Sequence, residues 1–122
     1  MRIGIDIVDI DRVEAAVKRT PRFLSRVFTV GELDYCLAKR NPYPSLAVRF
    51  AAKEAFRKID QYFCQGIRFQ DVEVAVREGG RPELVLHAQA LARTKEIGID
   101  RWEMSLAHSR NQAIAAIIAY GE

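Results

Sequence analysis

The sequence predicts an α+β fold, helices packed on a small antiparallel sheet, and three observations predict it. Ile3-Gly4-Ile5-Asp6-Ile7-Val8 alternates as a strand should. The stretch from Asp9 to Lys58 then runs in helical periods, interrupted at Pro21 and at Pro42-Tyr43-Pro44. Beyond residue 68 the period returns to two, with a hairpin signal at Gly79-Gly80 and two further alternating runs near the end. The 122 residues form one domain, 1–122, long enough to bury a real core.

In the first strand Ile3, Ile5 and Ile7 share a face, so Asp6 points the other way beside Gly4, which leaves room next to it. A carboxylate among apolar β residues is unfavourable unless it meets a partner or water. Asp9 stands where it can cap a short helix over residues 11–17, which stops before Pro21. Residues 22–28 read as a second short helix, apolar and basic. Thr29-Val30-Gly31-Glu32 fits a capping box and opens a third helix towards Arg40.

The central helix follows the Pro42-Tyr43-Pro44 break, with Ser45 as its N-cap. Wound at about 100° per residue, Val48, Ala51, Ala52, Ala55, Phe56 and Ile59 fall on one half. Arg49, Lys53, Glu54, Arg57 and Lys58 fall on the other. Alanine dominates the apolar half, so a large neighbour can approach it closely. On the charged half four cations surround one carboxylate, which marks a solvated face or a site for a polyanion. Arg57 reads as a solvated surface charge.

Residues 60–66 read as a loop. Residues 69–76 alternate, with Val72, Val74 and Val76 in phase, and residues 82–86 pair back across the glycine turn. Residues 87–97 form a helix closed by Gly98. Strands over 99–107 and 113–119 finish the chain, joined by a turn at His108-Ser109-Arg110-Asn111.

Composition narrows the function classes. At 49% hydrophobic and 29% charged residues, the chain is that of a soluble globular domain. Its net charge of +3 favours an anionic partner but is too small to demand nucleic acid, and its basic residues lack the interleaved aromatic platforms of a nucleic-acid binder. No run reaches membrane-spanning length, and Arg2 and Asp6 stand where a signal peptide needs an apolar core. The expectation is a cytoplasmic protein with no membrane partner. Cys36 and Cys64 are unpatterned and read as reduced thiols.

Three polar residues sit in apolar settings: Asp6 in the first strand, Glu54 on the central helix, and His108 at a strand end. Mg²⁺ takes one or two carboxylates and completes its octahedron with water and substrate phosphate. Asp6 and Glu54 would meet that need, with Arg49, Lys53 and Lys58 neutralising further phosphate charge.

These residues also carry a family resemblance. Gly4-Ile5-Asp6-Ile7-Val8, the segment Phe28-Thr29…Glu32-Leu33…Tyr35, and Arg49-Phe50-Ala51-Ala52-Lys53-Glu54-Ala55-Phe56 strongly resemble the holo-[acyl-carrier-protein] synthases, the small 4′-phosphopantetheinyl transferases. Phe69-Gln70-Asp71-Val72-Glu73-Val74, Gly80-Arg81-Pro82 and Ser105-Leu106-Ala107-His108-Ser109 continue the pattern in order. The resemblance implies the 4′-phosphopantetheinyl transferase fold and a homotrimer with active sites at the subunit clefts. The implied activity is a Mg²⁺-dependent transfer of the 4′-phosphopantetheine arm of coenzyme A to a serine of apo acyl carrier protein, a step of fatty acid and lipid metabolism. Adenosine 3′,5′-bisphosphate is the by-product.

Carried over residue by residue, Asp6 and Glu54 are the metal ligands, and Glu54, directly or through water, is the acceptor of the serine proton. Lys58 joins them in catalysis. Arg49, Lys53 and Lys58 grip the coenzyme A phosphates, and His108 lies near the nucleotide. Arg12, Arg22 and Phe23 face the acidic recognition helix of the carrier protein. Where the family has a glycine-rich turn after the central helix, residues 59–66 carry glycine only at Gly66. The alternative reading is an inactive paralogue that binds coenzyme A or carrier protein as a trimer.

Overall fold

A computed structural model describes residues 1–121. The order is β1 (Arg2–Asp9), α1 (Ile10–Arg19), α2 (Phe23–Val27), α3 (Val30–Leu37), α4 (Tyr43–Arg57), β2 (Val72–Val76), β3 (Pro82–Leu86), α5 (Ala88–Glu96), β4 (Arg101–His108) and β5 (Gln112–Tyr120). This is the expected α+β class. The first and last strands pair antiparallel, giving a three-stranded sheet in the order β1-β5-β4, while β2 and β3 form a separate hairpin. The Trp102 indole N–H joins the two sheets by donating to the Leu84 carbonyl at 3.0 Å.

The fold is assembled on α4. Its Ala51, Ala52 and Ala55 pack with Ala115, Ile117 and Ala119 of β5 in one core cluster, whereas Leu46, Ala47 and Val48 join Ile10, Val13, Val27 and Phe28 in a second. The small side chains set the spacing between layers. A Cβ added to Gly4 would lie 2.0 Å from the Ala55 carbonyl oxygen, so only glycine lets β1 run this close to the helix. That approach brings Asp6 against the C-terminal half of α4.

The alternation in β1 is as read: Gly4 is buried, and Ile3, Ile5 and Ile7 lie on the opposite face of the sheet. They are 62%, 53% and 55% exposed, and Ile118, paired with Ile3, is on that face too. Four isoleucine side chains on one exposed sheet face form an apolar patch of the kind that marks an interaction surface.

Some boundaries move for identifiable reasons. Helix α4 starts at Tyr43 with Pro44 in its first turn, where a proline lacks no needed N–H, so Ser45 lies inside the helix and is not its cap. Asp9 does occupy the N-cap position of α1, but its carboxylate accepts from Gln112 Nε2 at 3.2 Å and caps nothing. The Thr29–Glu32 capping box forms as read, with both reciprocal bonds present. Residues 69–71 are a 3₁₀ turn, so β2 begins only at Val72.

Candidate active site

Asp6 sits mid-strand in β1, on the sheet face that packs against α4. Its Oδ1 accepts from Lys58 Nζ at 2.6 Å. Lys58 is the C-cap of α4, where a cation also complements the negative end of the helix dipole. Glu54 lies one turn back on the same face, as the spacing of four predicts. Burial is the main cause lifting the Glu54 carboxyl above its ordinary pKa; Arg57 opposes it, Asp6 adds to it, and Lys58 opposes it. Two partly buried carboxylates, a lysine and an arginine thus converge where β1 meets the end of α4.

Arg57 is more than the solvated charge the sequence suggested. Its Nη1 stands 3.8 Å from Glu54 Oε1, its Nη2 donates to the Cys64 carbonyl at 2.6 Å, and its guanidinium lies 5.4 Å over the Phe69 ring. At 3.8 Å it holds Glu54 electrostatically yet leaves the carboxylate lone pairs free. Arg93 of α5 donates to the carbonyls of Tyr62 (at 2.9 Å) and Gln65. Two arginines thereby fix the carbonyls of a loop that has little glycine, and only Gly66 takes a left-handed conformation, at φ +79°. Arg93 carries no signal in the sequence, and Arg57 reads there only as a surface charge, although it stands three residues from Glu54, a spacing that places both on one helix face.

Lys53 requires a correction. Instead of facing a phosphate, it is 1% exposed. Its ammonium donates to Glu32 Oε1 at 2.8 Å, to the Val72 carbonyl at 2.6 Å and to the Phe69 carbonyl at 3.1 Å. An ammonium has three donors, and all three are used within the chain. Burial lowers the Lys53 pKa, with the Glu32 carboxylate opposing. Lys53 ties α4 to α3 and β2.

Arg49 is also inside, 4% exposed, with its guanidinium 4.7 Å over the Tyr35 ring and Nη1 donating to the Ser45 carbonyl at 3.1 Å. Its Nε is buried without a hydrogen-bond partner among the described residues. His108 is exposed at the end of β4, with Nδ1 3.2 Å from the Ser109 carbonyl oxygen. Within one chain β5 separates it from Asp6.

The third set of residues lies beside α1. A cavity of about 390 Å³ is walled by Ile7, Val8, Val13, Phe23 and Phe50, with Arg12 at its rim. Phe23, Phe50 and Phe69 follow one another at 5.9 Å between ring centroids, a row leading from this cavity towards Arg57. Arg12 and Arg22 are exposed, and among the described residues neither makes an ion pair.

An acidic pair flanked by cations thus lies at a strand–helix junction of this α+β fold. The family model of the 4′-phosphopantetheinyl transferase superfamily matches residues 2–117, and the chain belongs to that superfamily. Within it the chain groups with the holo-[acyl-carrier-protein] synthases. The relative of that name from Moorella thermoacetica is 42% identical over 118 residues, 97% of this chain and 92% of the relative. Its counterpart from Halothermothrix orenii is 45% identical over 117 residues, 95% of this chain and 94% of its own. The fold is similar to the solved ACPS–CoA complex of Chronobacterium ammoniagenes, with a TM-score of 0.86 and 25% identity, covering 99% of this chain and 97% of that one.

Proposed function

We propose that this chain transfers the 4′-phosphopantetheine arm of coenzyme A to a serine of an apo acyl carrier protein, releasing adenosine 3′,5′-bisphosphate. The chain is an enzyme of the phosphopantetheinyl transferase class. The observation that carries its assignment to this site is the convergence of Asp6, Glu54 and Lys58 where β1 meets α4.

The reaction joins the serine Oγ to the β-phosphorus and breaks the bond from that phosphorus to the bridging oxygen. Charge neutralisation matters more here than covalent help from the protein. Asp6 and Glu54 fit a hard divalent cation: they are two carboxylates with free lone pairs, and such ions take one or two carboxylates together with phosphate and water. Bound there, Mg²⁺ would offset the negative charge of the diphosphate. Lys58 is exposed enough to reach a phosphate oxygen, whereas the buried guanidinium of Arg49 is held within the chain by Tyr35 and the Ser45 carbonyl. Glu54, made more basic by burial, is suited to accept the serine proton, directly or through water. Incubation with coenzyme A tests this reading. Adenosine 3′,5′-bisphosphate must appear only when apo carrier protein is present; its absence would overturn the assignment.

A homotrimer accounts for the exposed Ile3, Ile5, Ile7 and Ile118, which subunit contact would cover. In that assembly His108 and the nucleotide belong to the cleft between subunits. Sedimentation at micromolar concentration should give the trimer mass, and a monomer would contradict the shared cleft. No helix among the described residues is long and apolar enough to cross a membrane. The setting proposed for the reaction is the cytoplasm.

Arg12, Arg22 and Phe23 form the carrier-protein surface in this reading, supported by the free guanidinium groups and the apolar cavity beneath them. Rim charges act on encounter and are screened over about 8–10 Å at physiological ionic strength. Arg12→Glu should therefore raise the KM for the carrier severalfold and flatten its salt dependence, with the KM for coenzyme A unchanged. The reverse pattern would place Arg12 at the nucleotide.

A further inference from the structure

Each carboxylate of the site already has a cation of the chain beside it: Lys58 Nζ is 2.6 Å from Asp6 Oδ1, and Arg57 Nη1 is 3.8 Å from Glu54 Oε1. We propose that the Lys58 ammonium and a divalent cation are alternative counter-ions of Asp6, so that an arriving cation hands Lys58 over to the substrate diphosphate. The proposal rests on the transferase reading for the identity of that diphosphate. The ion pair itself is a feature of this chain.

The competition follows from geometry. An ammonium and a hard metal ion both seek the Asp6 oxygen, and two cations sharing it repel each other. The two partners differ in freedom. Asp6 lies within β1, its strand position paired to Ala115 of β5, and its side chain is 13% exposed. Lys58 caps the end of a helix with a side chain that is 55% exposed, so the lysine is the partner that moves.

The charge balance adds a consequence. Asp6, Glu54, Lys58 and Arg57 together are close to neutral, so a divalent cation entering alone leaves an excess of positive charge. A diphosphate entering with it supplies the missing negative charge and a new partner for Lys58. Metal and coenzyme A are therefore expected to tighten each other's binding, and by linkage the factor is the same in both directions. Lys58 is in this account both the competitor that keeps the cation weakly bound alone and the donor that rewards the arrival of the two together.

Mn²⁺ is a suitable probe, since it takes the same oxygen ligands and the free ion is read directly by electron paramagnetic resonance. Titrations compare the wild-type chain, Lys58→Met and the double variant Asp6→Asn/Lys58→Met, each with and without coenzyme A. Lys58→Met should bind Mn²⁺ alone more tightly than wild type, on the order of fivefold or more. Coenzyme A should then tighten the ion less in the variant than in wild type, and Asp6→Asn should cancel the gain. Lys58→Gln, which also removes the charge, should repeat the result. Equal or weaker Mn²⁺ binding by both lysine variants would overturn the proposal. Transfer to carrier protein is measured separately on wild type. Failure there with the Mn²⁺ gain intact would remove the transferase reading alone; transfer without the gain would remove the exchange alone.

Discussion

Asp6→Asn and Glu54→Gln should each lower transfer by roughly 10²–10⁴-fold. Both substitutions keep the shape of the side chain and replace a hard anionic oxygen by an amide, which a divalent cation accepts poorly. Neither residue belongs to the hydrophobic core, so circular dichroism and the oligomeric state should be unchanged. The two losses should differ in kind. Asp6→Asn removes the counter-ion of Lys58, and excess divalent cation should recover part of its activity. Glu54→Gln also removes the proposed proton acceptor, and excess cation should recover little. Wild-type turnover by either variant at limiting Mg²⁺ would contradict the assignment.

Lys53→Ala should destabilise the chain by about 3–5 kcal/mol, the cost of leaving a buried charge without its partner. The Glu32 side chain it abandons is fully buried; its carboxylate would retain only the backbone N–H groups of Thr29 and Val74, both at 2.9 Å. The carbonyls of Val72 and Phe69 would lose a donor as well. Urea denaturation measures this directly. Adding Glu32→Gln to Lys53→Met should restore part of the loss, because the uncompensated charge goes with it. A Lys53→Ala chain as stable as wild type but unable to bind coenzyme A would return this lysine to the ligand site.

The contrast between Lys53 and its neighbours shows which features the sequence could convey. Strand parity set Asp6 opposite the isoleucines, and helical spacing set Glu54 and Lys58 on one half of α4; both are local rules, and both hold in the structure. The charged half of α4 was inferred by the same helical arithmetic, which assumes that a helix has one covered side. Helix α4 is covered twice, by the sheet on its alanines and by α3 and β2 around Lys53. The partner that makes burial possible is Glu32, 21 residues away, legible only as the last member of a capping box. One of its oxygens serves the Thr29 backbone and Lys53, the other the Val74 N–H. The pairing of β1 with β5 is equally silent in the local pattern, because nothing in either strand names the other. The clamp of Arg57 and Arg93 on the 61–66 loop depends on carbonyl positions that exist only once that loop has folded.

The central claim is that this chain modifies a carrier-protein serine, and intact-mass spectrometry of the carrier tests it most directly. An apo acyl carrier protein is incubated with this chain, coenzyme A and Mg²⁺. The account predicts that the carrier gains the mass of one 4′-phosphopantetheine, that the gain fails when the acceptor serine is replaced by alanine, and that Glu54→Gln protein does not produce it. A carrier whose mass stays unchanged with folded wild-type protein at saturating coenzyme A and Mg²⁺, across fatty-acid and polyketide carriers, would contradict it.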